Sequence, residues 1–279
     1  MVARLEKARS LDTISDRLQK IITGASPQVV KNFLHGTWLG HPLHPVLIHA
    51  PIGAFLSAAV LDAIPGQDKA AGTLITVGAA ASPVTIAAGW TDWSQLSAAE
   101  RRVGLVHAAT NAVAVGLFVA SLSARASGRT ARGKALSYAG MSLMGAGAYL
   151  GGHLTYSQAA GVNQAAPDLQ RLPSEWTAVG ELASLPDGKP LVKTVDDVPI
   201  LLFRSGDKVT AMLERCSHET GPLGDGDVVG VGAEACVVCP WHGSTFRLRD
   251  GVAVRGPAAN DQPVLRSRVT AGVVEIAQP

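Results

Sequence analysis

Two pairs of residues late in the chain have the types and spacing of a metal site. Cys216 and His218 stand two positions apart and, after twenty intervening residues, Cys239 and His242 stand three apart. Thiolates and neutral imidazoles together suit either a single tetrahedral zinc ion that takes all four donors or an iron–sulfur centre. The chain has only 3 cysteines, too few for a disulfide framework, and two of them sit beside these histidines. The third, Cys236, has no histidine at ligand spacing and reads as a buried strand residue.

The surrounding text narrows the choice. The segments Cys216-Ser-His-Glu-Thr-Gly-Pro-Leu-Gly-Asp-Gly226 and Cys239-Pro-Trp-His-Gly-Ser-Thr-Phe246 closely resemble the paired loops of the Rieske iron–sulfur family over about residues 175 to 277. The resemblance implies a [2Fe–2S] cluster held by Cys216, His218, Cys239 and His242. Two thiolates then stabilise one iron as ferric, and two neutral imidazoles raise the potential of the other. The chain departs from the quinol-oxidising relatives in two respects. Those join their loops by a disulfide, where this chain has Gly221 and Trp241; they also hydrogen-bond the cluster with a serine and a tyrosine, where this chain keeps Ser244 but has Phe246. Losing a donor near sulfur destabilises the more negative reduced state, so a potential nearer the ferredoxin subgroup is expected.

These loops need a scaffold, and the flanking sequence reads as β. Short runs at Leu191–Val195, Ile200–Phe203, Lys208–Leu213, Val228–Val231 and Gly272–Ile276 are broken by Gly, Pro and Asp, the pattern of a small antiparallel domain over residues 175–279. The preceding half differs in kind. Residues 46–152 hold 11 charged residues, whereas 174–279 hold 14 acidic and 10 basic ones. Four apolar stretches, Val46–Ile64, Ala70–Trp90, Val103–Ala124 and Ala135–Leu154, are each close to the ~20 residues that cross a bilayer core. The fold class expected is therefore multidomain: an all-α four-helix transmembrane bundle over 46–154, then an all-β Rieske domain. Glycines such as Gly140, Gly145 and Gly147 would let helix backbones approach closely. An N-terminal tail, residues 1–45, contains an amphipathic helix over Leu11–Ile22 suited to a membrane surface and does not read as a signal peptide. A polar linker, residues 155–174, joins the halves.

Six histidines precede residue 174. The run His41-Pro-Leu-His44-Pro-Val-Leu-Ile-His49-Ala-Pro-Ile-Gly53 resembles an uncharacterised bacterial family of four-helix membrane proteins over about residues 35 to 155, which implies no activity. Helix geometry puts His49, His107 and His153 in one leaflet with Trp90, Asp92 and Trp93. Imidazoles at that depth are costly and usually functional. They could ligate a haem b, with Gly53 making room for the ring, contact a quinone, or hydrogen-bond one another and Asn111 to fix the bundle.

The function expected is one-electron transfer at the surface of a cell membrane by a multi-pass protein. Its partners would be the lipid bilayer, separate donor and acceptor proteins, and quinone in one alternative. The Lys and Arg distribution favours cytoplasmic termini and a cytoplasmic Rieske domain. The alternatives are a minimal quinol–ferredoxin oxidoreductase and a redox-sensing binding module. A mononuclear-iron oxygenase is not expected, since it would need a large catalytic domain with a two-His, one-carboxylate site and little sequence follows His242. The absence of basic runs interleaved with aromatics argues against nucleic acid, and no glycine fingerprint for a nucleotide is present.

Overall fold

A computed structural model of the chain describes residues 2–279. It divides into two compact units: the residues up to Pro27 with Leu43–Ala160, and Gln28–Pro42 with Gly161–Pro279. The helices in chain order are α1 (Val2–Glu6), α2 (Asp12–Ala25), α3 (Gln28–His35), α4 (His44–Leu47), α5 (His49–Asp62), α6 (Asp68–Trp93), α7 (Ala98–Ala126), α8 (Thr130–Gln158) and α9 (Ala166–Leu169).

The first unit is helical. Helix α7 starts at a capping box, in which the Glu100 carboxylate accepts the Ser97 N–H at 2.8 Å. Helix α8 stops where Ala159 adopts a left-handed conformation at φ 58°. Its core is a stacked pair, Phe55 on Phe118 with ring centroids 3.8 Å apart, surrounded by Ala58, Ala71 and Ile75. Small residues make that stack possible. A Cβ on Gly78 would lie 2.7 Å from the Phe55 ring, and one on Gly140 3.2 Å from the Phe118 ring. Of the other glycines expected at helix contacts, Gly147 packs against Asn111, whereas Gly145 borders open space.

Three segments are long and apolar enough to cross a membrane: His44–Asp62, Asp68–Trp93 and Ala98–Ala126. Only 28%, 28% and 22% of their most apolar stretches is buried inside the protein, so most of their apolar surface faces outward, as a lipid solvent requires. Four such spans were expected. Helix α8 matches α7 in length at 29 residues, but its glycine, serine and tyrosine content dilutes the apolar character that the other three have. The charged residues of this unit collect at its two ends. At one, Arg125 Nη2 meets Asp62 Oδ2 at 2.5 Å and Lys134 Nζ meets Asp68 Oδ1 at 2.7 Å, which ties together the ends of α5, α6, α7 and α8. At the other, α2 is held by Arg102 to Asp12 at 2.6 Å and Arg101 to Asp16 at 2.8 Å.

The second unit is built on ten antiparallel strands. These are β1 (Thr177–Glu181), β2 (Pro190–Val195), β3 (Val198–Ser205), β4 (Lys208–Leu213), β5 (Asp227–Val229), β6 (Cys236–Val238), β7 (Thr245–Arg247), β8 (Ala253–Arg255), β9 (Val264–Thr270) and β10 (Val273–Ala277). They form a six-stranded sheet, β1-β10-β9-β4-β3-β2, and a four-stranded sheet, β5-β6-β7-β8. Strand β3 is buried on both faces. Ile200 and Leu202 join Val198, Leu213, Val274 and Ile276 in one core, while Leu201 and Phe203 join Met212, Leu223, Val237 and Phe246 in another. That two-sided burial explains the unbroken apolar run of β3.

Two stretches differ from their expected place. Instead of one tail over residues 1–45, Gln28–Pro42 groups with the β unit. Most of the expected linker is also packed there. Ala165 and Leu172 enter the first core, Asp168 pairs with Arg215 at 2.8 Å, and the Gln278 amide donates to the carbonyls of Leu169 and Leu172. The linker's apolar residues are too sparse to show periodicity, yet they complete a core supplied by distant strands.

The Asp62 carboxylate is fully buried and Arg125 nearly so. Substituting Asp62→Asn leaves the guanidinium with only the longer 4.0 Å ion-pair approach to Asp68 Oδ1 and is expected to cost about 3 kcal/mol of stability. A clear fall in the Tm of the detergent-solubilised protein would register it; an unchanged Tm would show that the pair is dispensable.

Candidate metal centre

The cysteine and histidine pairs lie on two loops, 214–226 between β4 and β5 and 239–244 between β6 and β7. Each loop closes on itself through backbone hydrogen bonds. In the first, Cys216 N–H donates to Gly221 O and Thr220 N–H to Cys216 O, both at 2.9 Å; in the second, Cys239 N–H donates to Ser244 O at 2.8 Å and Gly243 N–H to Cys239 O at 3.0 Å. The tight returns require positive φ at Thr220 (58°) and Gly243 (74°). Both cysteines are roots of the second core, 1% and 2% exposed, so the loop tips are anchored by the same apolar cluster as Leu223 and Phe246.

This arrangement gathers the four side chains two and two. The sulfurs of Cys216 and Cys239 hydrogen-bond each other. The backbone N–H groups of His218 and Glu219 face Cys216 Sγ, and those of Trp241 and His242 face Cys239 Sγ. The hydrogen bond from Cys216, aided by those two N–H groups and opposed by burial, holds the Cys239 thiol down to about 6; the same sharing and burial push Cys216 up. The rings of His218 and His242 lie 5.1 Å apart between centroids, at 85°.

Among the described residues, one set of three or more possible donors converges within 4.8 Å: His218, Glu219 and His242. Neither sulfur belongs to it. A tetrahedral zinc site would need all four donors within about 3.3–3.8 Å of one another, so the geometry favours a centre with two separate metal positions. The donor chemistry also fits. Burial, then the charges of His242 and His35, depress His218 to about 3, and burial lowers His242, which keeps both imidazoles neutral as metal ligation requires. His218 Nδ1 is buried without a hydrogen-bond partner among the described residues, a cost that a bound metal would remove.

Further residues hold the loops. Gln262, 1% exposed, accepts from Ser217 N–H at 2.9 Å and donates to the carbonyls of Leu213 and Arg215 at 2.7 and 2.8 Å. Ser244 Oγ accepts from Ala258 N–H at 2.9 Å, which leaves its hydroxyl proton as a donor. Phe246 is wholly buried in the core. Gly221 lies under the indole of Trp241. A Cβ there would come within 2.8 Å of Cys239 Sγ and 3.2 Å of the Trp241 ring, so close packing joins the two loops. Cys236 is a buried residue of β6, facing the Glu234 carbonyl at 3.4 Å. Gln262 was not singled out from sequence, because its partners lie 45 to 49 positions away.

The membrane-half histidines are placed differently. His49 is exposed and its Nδ1 lies 3.1 Å from Val46 O; His107 Nδ1 lies 2.8 Å from Gly147 O; His153 Nε2 lies 2.8 Å from Glu6 Oε1. No hydrogen bond among the described residues joins any two of the three. His44 Nδ1 lies 2.9 Å from Thr85 O. Gly53 has no atom within 4 Å of where its Cβ would be.

Both halves of the chain are similar to known proteins. A family model described as the Rieske [2Fe-2S] domain matches residues 175–268, and one described as a predicted membrane protein (DUF2231) matches residues 40–164. The anthranilate 1,2-dioxygenase ferredoxin subunit of Burkholderia cepacia is 30% identical over 103 residues, 37% of this chain and 92% of that protein. The 3-phenylpropionate/cinnamic acid dioxygenase ferredoxin subunit of Escherichia coli K12 is 30% identical over 99 residues, 35% of this chain and 89% of its own length. Among solved structures, the ferredoxin of carbazole 1,9a-dioxygenase from Nocardioides aromaticivorans IC177 is 26% identical, with 38% of this chain and 100% of that chain covered and a TM-score of 0.35.

The contact between Gly221 and Cys239 makes a sharp test. Gly221→Ala is expected to reduce iron and acid-labile sulfide per chain several-fold while the far-ultraviolet circular dichroism stays unchanged; full incorporation would show that the loops have slack that the packing does not suggest.

Proposed function

This chain belongs to the Rieske [2Fe–2S] family, with a membrane-protein domain fused ahead of the cluster domain, and on that premise we propose that it is a membrane-anchored one-electron carrier. Cys216 and Cys239 would hold one iron, and His218 and His242 the other. When bound, such a cluster supplies a one-electron couple on the imidazole-bound iron. The observation that carries the reading is the two-and-two division of donors, with backbone N–H groups facing both sulfurs.

The protein residues set the conditions for transfer. Burial of the cysteines keeps water from the sulfurs. Trp241, 56% exposed, and His242 present an edge at which a separate donor or acceptor could dock, while His218 is the more covered imidazole. Two relatives are named as ferredoxin subunits of dioxygenases, and by analogy the partners here are separate redox proteins. Haem or quinone ligation by His49, His107 and His153 is not part of the proposal: the Nδ1–carbonyl contacts of His49 and His107 do not occupy either Nε2, but no contact among the described residues brings those nitrogens to a common centre, and His153 Nε2 faces Glu6.

A multi-pass anchor follows from the same reading. Gln28–Pro42 and Gly161–Pro279 make one compact unit, and a compact unit cannot straddle a bilayer. The helices between must then cross an even number of times, with α8 as the fourth crossing. The excess of Lys and Arg over the whole N-terminal tail supports a cytoplasmic side for that unit.

Anaerobically purified full-length protein is expected to contain two irons and two acid-labile sulfides per chain and to give an EPR signal on one-electron reduction. Its potential should fall toward the about −150 mV end of the Rieske range, because Phe246 offers no hydroxyl to the cluster. Zinc without labile sulfide would overturn the proposal.

A further inference from the structure

Helix α3 is amphipathic in the wrong sense for water. Its buried side is polar: His35 is 3% exposed, and Asn32 Oδ1 accepts from Gly256 N–H at 3.2 Å while its Nδ2 reaches Val254 O at 3.5 Å. A Cβ on Gly256 would lie 3.0 Å from the His35 ring, so the imidazole side seats tightly on the β unit. The opposite stripe is apolar and outward, with Val29 79%, Val30 43% and Phe33 53% exposed. A helix packed in water buries Val and Phe and exposes Asn and His; this one does the reverse.

Just beyond the helix, Trp38, 60% exposed, extends the apolar stripe. Its ring stacks on Phe33, with centroids 5.7 Å apart and planes at 12°, and its Nε1–H donates to Phe33 O at 3.2 Å. The one polar atom of the indole is thereby satisfied within the protein, and apolar ring surface faces out. Residues 39–43 alone separate Trp38 from His44, where the first apolar span begins. An extended chain covers that interval in at most about 20 Å, so Trp38 cannot lie far from the boundary where α5 meets lipid. Neither family match includes residues 28–39.

We propose that Val29, Val30, Phe33 and Trp38 form a lipid-seating surface that enters the interfacial layer of the bilayer and fixes the cluster-bearing unit there. The occupant is the headgroup and upper acyl region, where tryptophan and other aromatic side chains concentrate. The inference rests on the membrane-anchored reading and adds a second attachment to it. The polar face of α3, through Asn32 and His35, would carry that attachment to the loop containing Gly256.

The test uses full-length protein and its Trp38→Phe variant in nanodiscs of phosphatidylcholine and phosphatidylglycerol, with and without phosphatidylcholine brominated in the upper acyl chain. The difference between the two proteins isolates Trp38 emission; of the four tryptophans left in both, Trp90 and Trp93 alone lie in an apolar span, so brominated-lipid quenching of the remaining emission reports incorporation. Loss of most of the Trp38 increment with brominated lipid, but not with aqueous acrylamide, is expected. Quenching by acrylamide alone would overturn the seat, as would quenching by neither agent, since a second copy or another protein would then cover the surface. Loss of brominated-lipid quenching from Trp90 and Trp93 as well would overturn the membrane anchor itself. In a second variant, Phe33→Asp with iron content retained, Trp38 should become accessible to acrylamide; continued shielding from acrylamide would again argue against lipid as the occupant.

Discussion

Two sulfurs buried beneath loop tips can carry negative charge only where something replaces the water they have lost. Here backbone N–H groups do so, a pair to each of Cys216 and Cys239. Much of the β unit can be derived from that requirement. N–H groups two and three positions after a cysteine face back toward its sulfur only in a tight return, which places Thr220 and Gly243 at positive φ. A tight return holds its shape only if its base is rigid, and that base is the core shared by Leu201, Phe203, Leu223 and Phe246. Strand β3 ties this core to the larger sheet by burying side chains on both of its faces.

The membrane half follows a different constraint. Its surface is apolar around most of each long helix, so charged groups are admitted at the two ends, where they meet one another. The interior is closed by ring on ring and ring on glycine, because lipid offers no hydrophobic gain for burying one apolar side chain rather than another and close van der Waals contact must supply the cohesion. Gly78 and Gly140 are where that contact requires the absence of a side chain.

The sequence made these features legible to unequal degrees. The cysteine–histidine pairs were legible as candidate ligands because each lies within four residues, so spacing and loop composition travel together. Long apolar helices were legible from length, and β2, β3 and β4 from their apolar runs. The three-residue strands β6, β7 and β8 were not, for they are too short to show alternation and depend on pairing with one another. Residues 28–42 misled for a physical reason: their apolar side faces away from the protein, so a pattern read as one continuous N-terminal tail belongs to a helix whose polar side makes the contact. His153 was grouped with the other membrane histidines by depth alone, whereas its partner Glu6 lies 147 positions away. Gln262 escaped notice likewise, since a glutamine near the end of a loop has no local signature of three buried hydrogen bonds.

The two loops meet through the face of an indole resting on a glycine, with no covalent bond between them, and all three cysteines are free thiols. Thiol reductants such as glutathione and thioredoxin therefore find no cross-link to cut. The clamp needs no oxidising folding machinery, and its integrity is decoupled from the thiol–disulfide poise of the compartment around it.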